Sequence, residues 1–286
     1  MAELRIGTCS WKYPSWEGLV YSTRNRKNYL EEYAGIYNTV EIDQWFWSLF
    51  EGGQIKLPKL SDVKTYRNSV SDDFRFSIKV PNSITLTHHY KKVKTDLLID
   101  NPFFLSSAFF QKFLSQIEPL KDVIGPIMFQ FEYLNKQKMK SQNRFQELFE
   151  EFIKQITMPY QFAVEIRNPN YLNKSYFEFL NRNSLSPVFL QGYYMPDITN
   201  VYNERRSLIL QQKMVVIRLH GPDRQKIEKM SEGKWNQIYS FKDDELVRVA
   251  QMITDLLNRS VNVYLNVNNH FEGSAPFTIN RIKKLL

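Results

Sequence analysis

Eight short runs of β-branched and aromatic residues recur along the chain, and segments with helical spacing follow most of them. We predict strands at residues 4–11, 39–44, 74–80, 126–132, 161–167, 187–192, 215–221 and 261–267. Between these runs, apolar residues recur three and four positions apart, as on one face of a helix. The clearest helical segments are residues 103–117, 144–156, 243–260 and 274–286.

The alternation of strands and helices predicts a parallel sheet built from right-handed βα units. Eight such units close naturally into a (β/α)8 barrel, and the length of 286 residues suits one barrel. Because no linker-like segment or composition break interrupts the pattern, we predict a single TIM-type barrel domain of the α/β class over residues 1–286. Residues 201–212 have weak helical spacing, which leaves an irregular sixth βα unit as an alternative.

The strand QFAVEIR at 161–167 alternates apolar residues with Glu165 and Arg167, although a strand buried on both faces should read as nearly continuous apolar sequence. In a barrel, alternate residues point toward the axis, which explains the pattern if the polar set faces inward. The predicted inward residues are Glu41, Asp43, Ser77, Lys79, Gln130, Glu132, Glu165, Arg167, Arg218, His220, Asn266 and Asn268. They lie toward the C-terminal ends of their strands, where barrel enzymes build their sites.

Seven sequence blocks follow one another along the chain: IGTCSWKYPSW, YNTVEID, DFRFSIKVPNSITLTH, GPIMFQF, AVEIRNP, IRLHG and NNHFEGSAP. Their order resembles that of the YecE-like proteins, the domain-of-unknown-function family number seventy-two. The segment QWFWSLF departs from the more usual Ser/Thr-x-Phe-Tyr pattern. The resemblance implies a TIM-barrel fold and a site at its mouth, and it implies no particular reaction.

Three of the inward residues are candidate catalytic groups. Glu165 is the first candidate for a general acid or base, and Glu41 is the second carboxylate of a pair suited to hydrolysis or proton shuttling. His220 could carry a proton or orient a substrate. The alternative is a buried ion-pair network in which each carboxylate only receives an arginine.

Candidate substrate-binding residues surround these groups. Lys79, Arg167 and Arg218 would form a cationic clamp for an anionic group. The other candidates for substrate contacts are Gln130, Asn268, Asn269 and Trp11.

No cofactor is predicted. His220, His270 and Glu165 could share a divalent metal, but their spacing has no metal signature, so the metal site is the less favoured alternative. Cys9 could act as a nucleophile with His220 as its base, although burial as a small apolar side chain is the commoner role.

The net charge of +8 and the isoelectric point of about 9.3 favour anionic partners. We therefore predict a barrel that binds a small anionic or sugar-like ligand and performs acid/base chemistry, either phosphodiester or glycosidic hydrolysis or sugar isomerisation. The alternative is a non-catalytic nucleic-acid-binding module that uses basic, aromatic-rich loops. Its residues would be Trp11, Lys12, Trp16, Trp45, Phe46, Trp47, His88, His89, Tyr90, Lys91, Lys92, Lys94, Lys136, Lys138 and Lys140.

The N-terminal sequence MAELRIGTCSWKY has no apolar segment typical of a signal peptide, and no apolar run approaches the length of a membrane span. A single cysteine gives no sign of an oxidising compartment. These features predict a cytoplasmic protein with no membrane partner, and they leave its oligomeric state open.

Overall fold

The computed structural model describes residues 2–22, 28–50, 53–91, 93, 95–157 and 159–286. Eight parallel strands close into a barrel in sequence order. The strands are β1 (Leu4–Thr8), β2 (Thr39–Ile42), β3 (Arg75–Lys79), β4 (Ile124–Gln130), β5 (Phe162–Glu165), β6 (Ser186–Gly192), β7 (Met214–Gly221) and β8 (Asn262–Val267). The predicted α/β class and TIM-type barrel are confirmed.

Helices surround the barrel and connect its strands. They are α1 (Tyr29–Ala34), α2 (Leu60–Asn68), α3 (Asn82–Thr85), α4 (Ser107–Ile117), α5 (Gln142–Lys154), α6 (Lys174–Arg182), α7 (Ile198–Ile209), α8 (Arg224–Ser231), α9 (Asp243–Asn258) and α10 (Ala275–Lys283). Short 3-10 helices occupy Pro14–Trp16, Glu118–Val123 and Pro169–Tyr171. Among the described residues, no helix combines the length and apolarity needed to cross a bilayer.

The sixth βα unit is regular, so the alternative of an irregular connection is wrong. Helix α7 begins after Asp197, whose side chain accepts a hydrogen bond from the backbone N–H of Thr199 at 2.8 Å. Farther along, Arg206 makes two hydrogen bonds of 2.6 and 2.7 Å to Asp255 of α9. A cap and a contact with another helix thus stabilise a segment whose own apolar spacing is weak.

The inward and outward faces of the strands follow the predicted parity. The apolar residues that alternate with the predicted inward set are thereby predicted to face outward. All of them lie in the core between barrel and helices: Val40, Ile42, Phe76, Ile78, Phe129, Phe131, Val164, Ile166, Ile217, Leu219, Val263 and Leu265. A separate, smaller apolar cluster fills the barrel interior: Met128, Ala163, Val188, Met214, Val216 and Tyr264. In three strands the next inward positions toward the C-terminal end carry Gln130, Glu165 and Arg218, so the interior changes from apolar to polar on approaching the mouth.

Two glycines let the backbone at the ends of β6, β7 and β8 pack closely at the mouth. Gly192 has a φ of +139°, and a Cβ there would lie 2.3 Å from the carbonyl oxygen of Gly221. Gly221 has a φ of +78°, and its Cβ would lie 2.4 Å from the carbonyl oxygen of His270. Only glycine fits such contacts at these dihedral angles, and this packing positions the neighbouring Tyr193 and His220.

Candidate active site at the barrel mouth

One buried guanidinium joins four strands of the barrel. Arg218 on β7 is 2% exposed and donates hydrogen bonds from Nε and Nη2 to the two oxygens of Glu41 on β2, at 2.8 and 2.6 Å. Its Nη1 donates to Glu165 on β5 and, at 3.3 Å, to Gln130 on β4. The predicted residues Glu41, Gln130, Glu165 and Arg218 therefore meet in one network.

Glu165 is held ionised by its neighbours. Its Oε2 accepts from Arg218, and its Oε1 accepts from Nε of Arg167 at 3.0 Å. Burial alone would raise the pKa of Glu165, but the charges of Arg218, Arg167 and Lys79 outweigh burial and lower the pKa to about 2. A carboxylate of this kind stays charged at neutral pH and is a poor proton donor.

The pKa of Asp43, just beyond the end of β2, is shifted in the direction opposite to that of Glu165. Burial raises its pKa to about 6, and the nearby charge of Glu41 adds to the effect, while Lys79 and Arg218 oppose it. The inward parity of Asp43 was visible in the sequence, but parity does not distinguish its titration from that of Glu165. The structure thus identifies one carboxyl that titrates and one that stays ionised, and the charges of Lys79 and Arg218 act on both.

Lys79 is the last residue of β3, and its side chain is largely buried. It is 8% exposed, and no hydrogen bond or ion pair joins it to another residue in the part of the chain that the structure describes. Its Nζ lies 4.0 Å from the centroid of the Phe46 ring. Burial, and then repulsion by Arg218, lowers the pKa of Lys79.

His220 links Cys9 and Tyr193 at the mouth. Its Nε2 lies 3.5 Å from Sγ of Cys9, and its Nδ1 lies 3.3 Å from the hydroxyl of Tyr193. Burial and then Arg218 lower the pKa of His220, while burial and then Glu41 raise the pKa of Cys9. Both groups are therefore neutral at neutral pH, which disfavours a thiolate–imidazolium nucleophile.

Tyr193 was not among the predicted site residues, because it lies beyond the predicted strand at 187–192 and parity applies only within a strand. Its only sequence signal is its place directly after Gly192 at the end of β6. The guanidinium carbon of Arg167 lies 5.1 Å from the centroid of the Tyr193 ring. Tyr193 thus contacts both Arg167 and His220.

Three other predicted residues have different surroundings. Trp11 is 1% exposed and packs edge-on against Tyr66 of α2 in the outer core, which is no place for stacking on a ligand. The Oδ1 atoms of Asn268 and Asn269 accept backbone hydrogen bonds from His270 and Ala275, both at 2.9 Å. These amides order the loop after β8, and a role of either in ligand binding remains a prediction.

His270 and Glu132 likewise have partners outside the central network. Nε2 of His270 lies 3.1 Å from Glu228, and Glu132 pairs with Lys138. Across the described ranges, no group of three or more His, Cys, Asp and Glu side chains could hold a metal ion.

Two pairs of exposed aromatic rings lie on the loops around the mouth. Trp47, which is 61% exposed, lies with its ring 6.1 Å from that of Tyr90, and the rings of Tyr133 and Tyr194 are 6.3 Å apart. These loops follow β2, β3, β4 and β6. Lys92 and Lys94, which we predicted on one of them, lie outside the described residues.

A cleft of about 490 Å³ lies at the opposite end of the barrel. Ile6, Tyr37, Phe74 and Lys283 are among the residues that line it, near the starts of the strands. The N-terminal end of a TIM barrel serves stability rather than chemistry. The charged network at the mouth, and not this cleft, is therefore the candidate active site.

The closed parallel barrel with a charged C-terminal mouth defines a TIM-barrel protein. More particularly, the chain belongs to the family described as "Protein of unknown function DUF72", whose model matches residues 5–286. This match confirms the resemblance to the YecE-like proteins.

Curated relatives match part of the chain. The UPF0759 protein YecE of Escherichia coli (strain K12) is 27% identical over 169 residues, which cover 59% of this chain and 50% of that protein. The protein of the same name from Escherichia coli O157:H7 gives the same values. The chain thus spans about half the length of the curated relatives it matches.

Solved structures match nearly the whole chain. A DUF72 family protein from Thermotoga maritima MSB8 has a TM-score of 0.68 and 19% identity, covering 99% of this chain and 98% of that one. One from Enterococcus faecalis V583 has a TM-score of 0.68 and 17% identity, covering 99% and 95%. A psychrophilic glycoside hydrolase family 10 endo-β-1,4-xylanase has a TM-score of 0.51 and 8% identity, covering 93% and 86%. At these identities the likenesses show the fold alone.

Proposed function

We propose that the protein is an enzyme that binds a small polyhydroxylated or anionic substrate at the barrel mouth and transfers a proton through Asp43. The observation that carries this proposal is the separation of two carboxyl pKa values at one site, about 6 for Asp43 and about 2 for Glu165. Environments that push the pKa values of neighbouring carboxyls apart are typical of sites that divide proton transfer from charge stabilisation.

The proton-transfer role falls to Asp43 rather than to Glu165, our first candidate from the sequence. A group with a pKa of about 6 can both accept and release a proton near neutral pH. Glu165 and Glu41 instead hold Arg218 and fix the electrostatic potential of the site. This division suits glycosidic or phosphodiester hydrolysis and sugar isomerisation.

Substrate contacts come from the cations that the network leaves available. Arg218 makes four hydrogen bonds to Glu41, Glu165 and Gln130, so little of its guanidinium remains for a ligand. Within the described residues, Arg167 uses only its Nε in a hydrogen bond, and Lys79 uses none. Their remaining donors suit a carboxylate, a phosphate or neighbouring hydroxyl groups.

A screen of phosphorylated sugars, oligosaccharides and phosphodiesters tests the proposal, with Asp43→Asn beside the native protein. Turnover of the substrate found should fall by about 10²- to 10⁴-fold in Asp43→Asn, the usual contribution of a positioned proton-transfer group. Asp62→Asn on the exposed surface of α2 is the matched control and should retain full turnover. Equal activity of native protein and Asp43→Asn would contradict the proposal.

The second candidate function is nucleic-acid binding without turnover, and the exposed ring pairs at the mouth favour it. Trp47 and Tyr90 could stack on unpaired bases, with Lys136 and Lys140 exposed on the loop after β4. In that case, binding of a single-stranded oligonucleotide should weaken steeply with salt, and Trp47→Ala should weaken it further. Asp43→Asn should leave that binding intact, which separates the two functions.

A further inference from the structure

We propose that Lys79 is a nucleophilic amine that forms an imine with the carbonyl carbon of the substrate. The substrate class is then a small aldehyde or ketone that carries hydroxyls or an anionic group. This inference rests on the proposed function, in which the mouth is an active site and Asp43 its proton-transfer group.

The surroundings of Lys79 differ from those of the other cations at the mouth. Arg218 has two carboxylate partners and Arg167 has one, whereas Lys79 has none among the described residues. Its amine lies against the Phe46 ring at 4.0 Å. An ammonium that only bound charge within the protein would be expected to have a carboxylate beside it.

Burial without a partner favours the neutral amine, which is the form that attacks a carbonyl carbon. The pKa of Lys79 is lowered, first by burial and then by the charge of Arg218. The charges of Glu41, Glu165 and Asp43 act in the opposite direction and do not cancel the effect. Geometry and electrostatics therefore agree on a reactive amine.

The position of Lys79 also suits the chemistry. It ends β3 at the C-terminal side of the barrel, beside β2, which leads to Asp43. Arg167 has donors available for a carboxylate or phosphate elsewhere on the substrate. One end of a short carbonyl compound could thus be bound by Arg167 while its carbonyl carbon meets Lys79.

The reaction needs no further reagent. The lone pair of the Lys79 nitrogen forms the C–N bond while the carbonyl π pair moves to oxygen, and proton transfer from nitrogen to oxygen gives a carbinolamine. Asp43 in its acid form donates a proton to the carbinolamine hydroxyl, which leaves as water while the nitrogen lone pair forms the C=N bond. Asp43 then takes a proton back from nitrogen, so one amine and one carbonyl give one imine and one water.

Reductive trapping tests the proposal. The native protein is incubated with glycolaldehyde, glyceraldehyde, dihydroxyacetone and pyruvate, each with sodium cyanoborohydride at pH 7, and adducts are located by peptide mass spectrometry. We expect at least one compound to label Lys79 several-fold faster than the exposed Lys64 of α2, because burial and the charge of Arg218 lower the pKa of Lys79 and so leave more of its amine neutral at pH 7. Labelling with no preference for Lys79 over Lys64, by all four compounds, would overturn the proposal.

Two variants guard against a misleading result. Lys79→Arg replaces the amine by a non-nucleophilic guanidinium on a side chain of similar length and should abolish the fast adduct. Lys64→Arg should leave the fast adduct unchanged, and thermal melting confirms that both variants are folded. Persistence of the fast adduct in Lys79→Arg contradicts the assignment.

If Asp43→Asn loses turnover while Lys79 gains no adduct, the imine proposal fails and the proposed function stands. If Lys79 is labelled but Asp43→Asn keeps full turnover, the imine proposal stands and the proton-transfer role of Asp43 fails.

Discussion

Arg218 on β7 donates two parallel hydrogen bonds to Glu41 on β2, of 2.8 and 2.6 Å, across the barrel interior. Both side chains are almost wholly buried. Buried charges of this kind add little net stability as a pair, but removal of one partner leaves the other uncompensated. The pair therefore fixes the geometry of the mouth more than it stabilises the fold.

Arg218→Met should destabilise the protein by about 3–5 kcal/mol at pH 7, since Glu41 and Glu165 would remain buried without their shared cation. Urea unfolding measures the change. The control Arg144→Gln removes an exposed ion pair with Glu147 and should cost about 0.5 kcal/mol or less. A loss as small as that of the control would show that Arg218 does not neutralise the network.

Glu165→Gln should make the free energy of unfolding depend less on pH in the acid range. The pKa of Glu165 is lowered from 4.5 to about 2 on folding, so its stabilising contribution is complete above about pH 4.5 and is lost as the pH falls toward 2. Unfolding free energies of the native protein should therefore drop through this window more steeply than those of Glu165→Gln. Parallel curves would contradict the lowered pKa.

Asp43→Asn should stabilise the protein at neutral pH, opposite to Glu165→Gln. Folding raises the pKa of Asp43 from 3.8 to about 6, so its destabilising effect is absent below about pH 3.8 and complete above about pH 6. We expect Asp43→Asn to gain roughly 1–3 kcal/mol at pH 7 and little at pH 3.5. Denaturant unfolding at the two pH values measures the difference, and a gain of equal size at both would contradict the account.

Gly221→Ala and Gly18→Ala form a matched pair, because both glycines have a φ of +78°. An alanine at Gly18 meets no atom within 4 Å and should cost only the backbone strain, about 1–2 kcal/mol. At Gly221 the new Cβ would lie 2.4 Å from the carbonyl oxygen of His270, so the loss should be clearly larger. Thermal unfolding compares the two, and equal losses would show that the loops after β7 and β8 adjust freely.

The period-two pattern of the strands made the barrel and its inward face predictable, because side-chain alternation is a local property of each strand. It correctly grouped Glu41, Gln130, Glu165 and Arg218. The position at which a strand ends depends less on its local sequence. We predicted the first strand through Trp11, but β1 ends at Thr8 and Trp11 turns into the outer core.

The pKa values of the carboxyls at the mouth could not be predicted from the sequence, for a different reason. Glu165 and Asp43 are both inward carboxyls near the ends of their strands, and nothing local separates them. Their pKa values diverge because burial, with the like charge of Glu41 adding to it, raises the pKa of Asp43, whereas two guanidinium groups near Glu165 outweigh its burial. Those distances exist only after the barrel has closed.

Carboxyl titration by ¹³C NMR, on protein labelled at Asp and Glu side chains, tests the central claim most directly. Asp43→Asn and Glu165→Gln assign the two resonances. The account predicts that Asp43 titrates near pH 6 and that Glu165 stays ionised to about pH 2 or until the protein unfolds. An Asp43 carboxyl that titrates near 3.8, its ordinary value, would contradict the account.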